Sequence, residues 1–131
     1  MAREKALQIL FAIEMGENET ETILESLLND SGLDGETEQY ARTLVTGTLQ
    51  HKVKIDSYIE AASKNWNIKR IAAVNRTILR LGSFELLFKE DIPDRVAINE
   101  AVELAKIFDG KEAAAFVNGM LDQVRIDHKE G

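Results

Sequence analysis

VAINEAVELAKIF, residues 96–108, and FVNGMLD, residues 116–122, decide how this chain folds. In the first, Ala97, Ala101, Leu104, Ala105 and Phe108 recur at i, i+4, i+7, i+8 and i+11, the spacing of one face of an α-helix. The second belongs to a longer series, Ala113, Phe116, Val117, Met120, Leu121 and Val124, with the same period. Asp109 and Gly110 separate the two as a stop signal. Each helix also carries polar residues that its pattern does not require: Asn99 and Glu100 in one, Asn118 and Asp122 in the other.

Outward from this pair the helical period continues. Ile71, Val74, Ile78 and Leu81 stand at i, i+3, i+7 and i+10, and Leu79, Phe84, Leu86 and Leu87 make the other side apolar too. A helix that is apolar most of the way round belongs at the centre of a fold. Asp91 to Asp94 reads as a turn, because Pro93 disfavours helix in the residue before it and suits a helix start. Towards the N-terminus, Leu7, Leu10 and Phe11 define a first helix from Ala2 to about Met15, stopped by Gly16 and Asn18. A second, with Thr20 or Thr22 as its cap, runs to about Asn29. The region from Glu36 to Lys64 is long for one helix, and a break is expected at Gly47 or between Lys52 and Lys54. The polar tail from Asp127 is expected to fray. No segment alternates at period two. The expectation is an all-α protein of six to seven helices in two small packed bundles, residues 1–66 and 67–131, joined at Asn65, Trp66 and Asn67.

A chain of 131 residues, 44% of them hydrophobic, is long enough to bury a core without covalent staples. It has no cysteine and only two histidines, so disulfides and thiolate metal sites are excluded and little is left for zinc or haem. The reducing cytoplasm fits. Charges at Arg3, Glu4 and Lys5 interrupt any leader-like apolar core, and no apolar run is long enough to cross a bilayer.

The net charge of -7 opposes nucleic-acid binding at first reading, but it is unevenly spread. Eight acids and no Lys or Arg lie between Glu17 and Glu38, leaving 15 acids against 16 bases elsewhere. Between Lys69 and Lys89 there are five bases and one acid, Glu85. Catalytic signatures are missing: no glycine-rich phosphate loop, no GxSxG and no zinc spacing. His51 and His128 have no second ligand at i+3 or i+4, so solvated or capping roles are expected. Glu100 and Glu103 are three apart, and Lys106 makes an exposed ion pair the simpler account of them. Asn99 and Asn118 resist such an account, because asparagine is a poor helix former and a buried amide must be satisfied. Bonding to a neighbouring helix end or to the 92–94 turn is favoured over ligand contact. Gly119, in mid-helix, suits close approach by another helix or a partner.

Together AREKALQILFAIE (2–14), LVTGTLQHKVKIDSYI (44–59), Trp66, LRLGSFELL (79–87), IPDRVAINEAVELAKIF (92–108) and FVNGMLD resemble the NusB family of bacterial transcription antitermination factors over nearly the whole chain. The resemblance implies a cytoplasmic, non-enzymatic, all-helical protein without cofactor or metal. It implies pairing with NusE, which is ribosomal protein S-ten, and joint binding of boxA RNA within an antitermination complex of RNA polymerase on ribosomal RNA operons. Residue by residue, it places Arg3, Gln8, Glu112 and Phe116 at the RNA, and Phe11 and Asn75 at NusE. Ala2, Arg3 and Glu4 match the family's ARE motif, but the arginines that precede it there are absent, which lowers the expected electrostatic affinity. Phe116 would stack on an unpaired base, with burial in the core an equal rival, and the charge of Glu112 would weaken binding. Phe11 stands where relatives often have Tyr, and Asn75 where a relative carries an acid. Two other readings stay open: a NusB-like domain of an RNA cytosine methyltransferase, and a helical module that homodimerises and buries its RNA-facing surface until the partner arrives.

Overall fold

A computed structural model describes residues 1–16, 19–64 and 67–130, so the expected stop at Asn18 and the Asn65–Trp66 junction lie outside the described residues. Within them the chain forms seven α-helices and one 3-10 turn: α1 (Ala2–Met15), α2 (Thr20–Asn29), α3 (Gly35–Gln50), α4 (Lys52–Ser63), the turn Ile68–Arg70, α5 (Ala73–Phe88), α6 (Asp94–Asp109) and α7 (Lys111–Glu130). None is long and apolar enough to cross a membrane.

Local chemistry sets the helix ends. Asp34 caps α3 by accepting from the Thr37 amide at 2.8 Å. The break in the long 36–64 region falls at His51, which ends α3 and begins α4 with φ near -105° and ψ near 17°. Gly47 stays inside α3. Pro93 precedes the first turn of α6. Only Gly110 separates α6 from α7, at φ 91° and ψ -175°, a conformation closed to side chains with a Cβ. The sharp reversal of the chain there rests on that residue. α7 continues to Glu130 rather than fraying at Asp127, and His128 meets the Tyr58 ring edge-on at 6.0 Å.

α5 is the central helix, packed against α1, α3, α4, α6 and α7. Its buried residues include Ile78, Leu79, Leu81, Phe84 and Leu86, but also Asn75, Thr77, Ser83 and Glu85. Small residues bring its neighbours close. A Cβ on Gly82 would lie 2.8 Å from Leu121 of α7 and 3.2 Å from Ala101 of α6, so the three helices interlock there. At Gly47 the ring of Phe84 occupies the space a Cβ would need. α1 packs on α2, α3 and α5, whereas α4 lies against α5 and α7.

The basic run from Lys69 to Lys89 is largely neutralised in space. Arg76 pairs with Glu14 of α1, Arg80 donates to Asp56 of α4 at 2.8 and 3.0 Å, and Lys89 lies 3.5 Å from Asp91. Only Lys69 and Arg70 of that run are exposed without an ion pair among the described residues.

Candidate RNA and partner surfaces

Arg3 lies in the first turn of α1, where its side chain reaches Glu85 near the end of α5. Its Nε and Nη2 each donate to the carboxylate at 2.8 Å, and Tyr40 of α3 donates its hydroxyl to the same carboxylate at 2.6 Å. Glu85 is 1% exposed, so this is a buried carboxylate held by three charge-assisted bonds. Glu100 of α6 approaches the remaining nitrogen, Nη1, at 3.5 Å, and the guanidinium lies 5.7 Å from the centre of the Tyr40 ring. Burial, then the bond to Glu85, holds the Tyr40 phenol well above its ordinary value. The arrangement ties α1, α3, α5 and α6 together at one end of the molecule. It also places all three guanidinium nitrogens of Arg3 against carboxylates, with the side chain 20% exposed.

The same network corrects the expected surface pair between Glu103 and Lys106. Glu100 turns to Arg3, and among the described residues Glu103 and Lys106 do not pair.

The other residues expected at RNA fall on two helices. Gln8 is exposed on α1 and borders a shallow depression with Lys5 and Leu33. Glu112 and Phe116 lie one turn apart on α7. Phe116 is 36% exposed, whereas its neighbour Val117 is fully buried, so the ring faces outward and does not fill the core. α1 and α7 both pack on α5.

On the other expected surface Phe11 is half-buried on α1, while Asn75 is buried and donates from Nδ2 to Asp109 at the end of α6, at 3.0 Å. The Asn75 Oδ1 accepts nothing among the described residues. Beside Asp109 the sequence pattern fails. Phe108, the last member of the apolar series, is 41% exposed, and Ile107 is 66% exposed. A large apolar pair at a helix end was detectable in the sequence, but its exposure was not.

Asn99 and Asn118 are both exposed and form no hydrogen bond among the described residues, so the expected backbone partners are not there. Gly119 has nothing within 4 Å of a built Cβ, so no helix of this chain approaches it. His51 stands at the α3–α4 junction, but its side chain makes no cap bond and its half-buried ring stacks on Phe88 at 3.9 Å, in place of the solvated or capping role expected of it.

Fold and surfaces together define an all-α protein of interlocked helices that presents its distinctive side chains for contact on the outside of those helices. The NusB family model matches residues 1–125, and the chain belongs to the NusB family. It is 44% identical over 128 residues to the transcription antitermination protein NusB of Myxococcus xanthus, covering 95% of this chain and 91% of that one. It is 48% identical over 124 residues to the protein of the same name from an Exiguobacterium species, covering 94% and 93%. Its fold superposes on T. maritima NusB with a TM-score of 0.89 at 36% identity, over 98% of this chain and 92% of the other. A crystal structure of the antitermination factors NusB and NusE in complex with dsRNA matches with a TM-score of 0.88 at 27% identity, over 96% and 94%.

Proposed function

We propose that this protein is a cytoplasmic transcription antitermination factor that binds boxA-type RNA jointly with NusE and supports processive transcription of ribosomal RNA operons by RNA polymerase. The observation that carries this reading is the superposition on a NusB bound with NusE and dsRNA over 96% of the chain. The curated relatives in Myxococcus and Exiguobacterium are matched over 91% and 93% of their own length and are antitermination proteins, so the methyltransferase-associated reading is not favoured.

The mechanism follows from what each surface offers. Phe116 supplies an exposed ring on which an unpaired base stacks, with Gln8 as a polar contact and Glu112 limiting affinity through its charge. Arg3 acts as a positioning residue that fixes α1 through Glu85. Phe11 and Asn75 face NusE, and the apolar pair Ile107 and Phe108 beside Asp109 extends that contact. The chain carries a net charge of -7, so RNA affinity depends on the partner to supply charge and contacts. Titration of labelled boxA RNA with this protein alone and with NusE present tests this. Affinity should rise by more than tenfold with NusE; equal affinity in the two titrations refutes joint binding.

A further inference from the structure

Residues of α1, α3 and α5, with the first residue of α4, surround a half-enclosed cavity of about 230 Å³. Leu10 and Ile13 of α1 and Leu49 of α3 form its apolar wall, and Thr48, Thr77 and Arg80 add polar groups. Elsewhere in these helices Thr43, Thr46 and Thr77 each donate the hydroxyl to the carbonyl four residues back, at 3.0, 2.8 and 2.8 Å. Thr48 does not follow them. It is 2% exposed, yet its Oγ1 has no hydrogen-bond partner among the described residues. A buried hydroxyl left unpaired costs free energy, which a hydrogen-bonding group supplied from the cavity would recover.

The charges of the wall are already matched, so the cavity does not select an ion. Glu14 is held by Arg76 and lies 3.2 Å from the Thr77 hydroxyl, while Arg80 donates to Asp56 at 2.8 and 3.0 Å. Lys52, the remaining charged residue of the lining, is exposed, where an ion pair is worth little. What is left is an apolar wall with one unsatisfied hydroxyl, the pattern of a site for a small neutral molecule. Volume sets its size. A cavity of about 150 Å³ holds benzene, so one of about 230 Å³ accommodates a ring system roughly half as large again. A rigid ring system also gives up less conformational freedom on entering than a flexible chain of the same volume.

We propose that this cavity binds a small, neutral heteroaromatic molecule of the indole class, whose ring N–H donates to the Thr48 hydroxyl while its rings pack on Leu10, Ile13 and Leu49. Indole matches the volume, carries a single donor and has no charge. The Thr48 oxygen has lone pairs to accept that bond. Gln8, Phe11, Asn75, Glu112 and Phe116 do not line the cavity, so it is distinct from the surfaces assigned to RNA and NusE and does not rest on that assignment.

The test is a titration of indole into the full chain, followed through the methyl resonances of Leu10, Ile13 and Leu49, with indene, the carbocyclic isostere that lacks the N–H, as the comparison ligand. Indole should shift these methyls saturably. Thr48→Val keeps the shape of the side chain and removes only a hydroxyl that has no partner, so the variant will fold. It should weaken indole about fivefold, the equivalent of one hydrogen bond, and leave indene unchanged. Leu49→Phe, which puts a larger side chain into the half-buried wall, should abolish binding of both ligands. Methyl resonances unmoved by indole, indole binding undiminished in Thr48→Val, equal weakening of indole and indene there, or binding retained by Leu49→Phe would each overturn the proposal. Tighter binding of N-acetyltryptophanamide than of indole would make the cavity an anchor for a partner's side chain and also overturn it.

Discussion

Replacing glycine with alanine in the middle of two of these helices should have opposite effects, and the difference is set by one phenylalanine ring. At Gly47, within α3, the new methyl group would overlap the near edge of the Phe84 ring, and even the far Cε2 atom would lie only 3.0 Å away. Phe84 is 4% exposed and stacks on Phe88 at 5.9 Å, so it cannot swing out without disturbing the His51–Phe88 stack at the α3–α4 junction. Overpacking of this kind costs about 1–3 kcal/mol, and the overlap puts Gly47→Ala near the upper end. The gain in helix propensity returns about 1 kcal/mol. A net loss of about 1–2 kcal/mol remains, a fall of roughly 3–10 °C in Tm for a domain of this size. At Gly119, within α7, nothing lies within 4 Å of the new methyl group. There the propensity term acts alone, and Gly119→Ala should gain about 0.5–1 kcal/mol. Calorimetry of both variants, with Gly47→Ala/Phe84→Leu as a third that relieves the overlap, measures the comparison. A Gly47→Ala protein as stable as the wild type, or a double variant no better than the single, would refute the packing argument.

Three further outcomes follow from the same geometry. Arg3→Ala should destabilise the protein by about 3 kcal/mol in urea unfolding, since it strands a carboxylate that is 1% exposed, and Arg3→Lys should not restore it because the two-pronged contact is lost. If Arg3 instead served RNA phosphates, stability would barely move and the salt dependence of RNA binding would fall. The Tyr40 phenol, held above its ordinary value by burial and Glu85, contributes stability that is complete below about pH 10 and declines as pH rises further, because the unfolded chain loses that proton first. Unfolding measured from pH 9 to 12 should therefore show a steeper alkaline loss in the wild type than in Tyr40→Phe, and parallel curves would contradict this. Phe116→Ala should weaken joint boxA and NusE binding by about fivefold to a hundredfold with NusE affinity alone unchanged, the range for one lost base stack; undiminished RNA binding would remove the ring from the RNA site.

Most of the helices were legible in the sequence because periodicity records burial directly. The central place of α5 followed from its all-round apolar surface, and the α6–α7 reversal from Asp109 and Gly110. The break in the 36–64 region was less legible. Gly47 looked like a helix breaker, but it is a glycine because Phe84 lies against it, and the chain breaks four residues later at His51. Phe108 and Phe116 show the same limit. Both belong to correctly spaced apolar series, yet both rings are exposed, because the period gives the direction of a side chain and not whether a neighbour reaches far enough to cover it.

The sequence by itself determined an all-helical chain, the approximate extent of its helices and, through its motifs, its place in the NusB family. Those are properties of spacing along one dimension. Only the tertiary structure decided what the charged and amide side chains do. It paired Arg76 and Arg80 with acids far away in the chain, turned Arg3 inward to Glu85, and left Asn99 and Asn118 exposed in the lining of one groove. Electrostatic and hydrogen-bond partners are chosen by distance in space, over a few ångströms, and sequence separation carries almost no information about that.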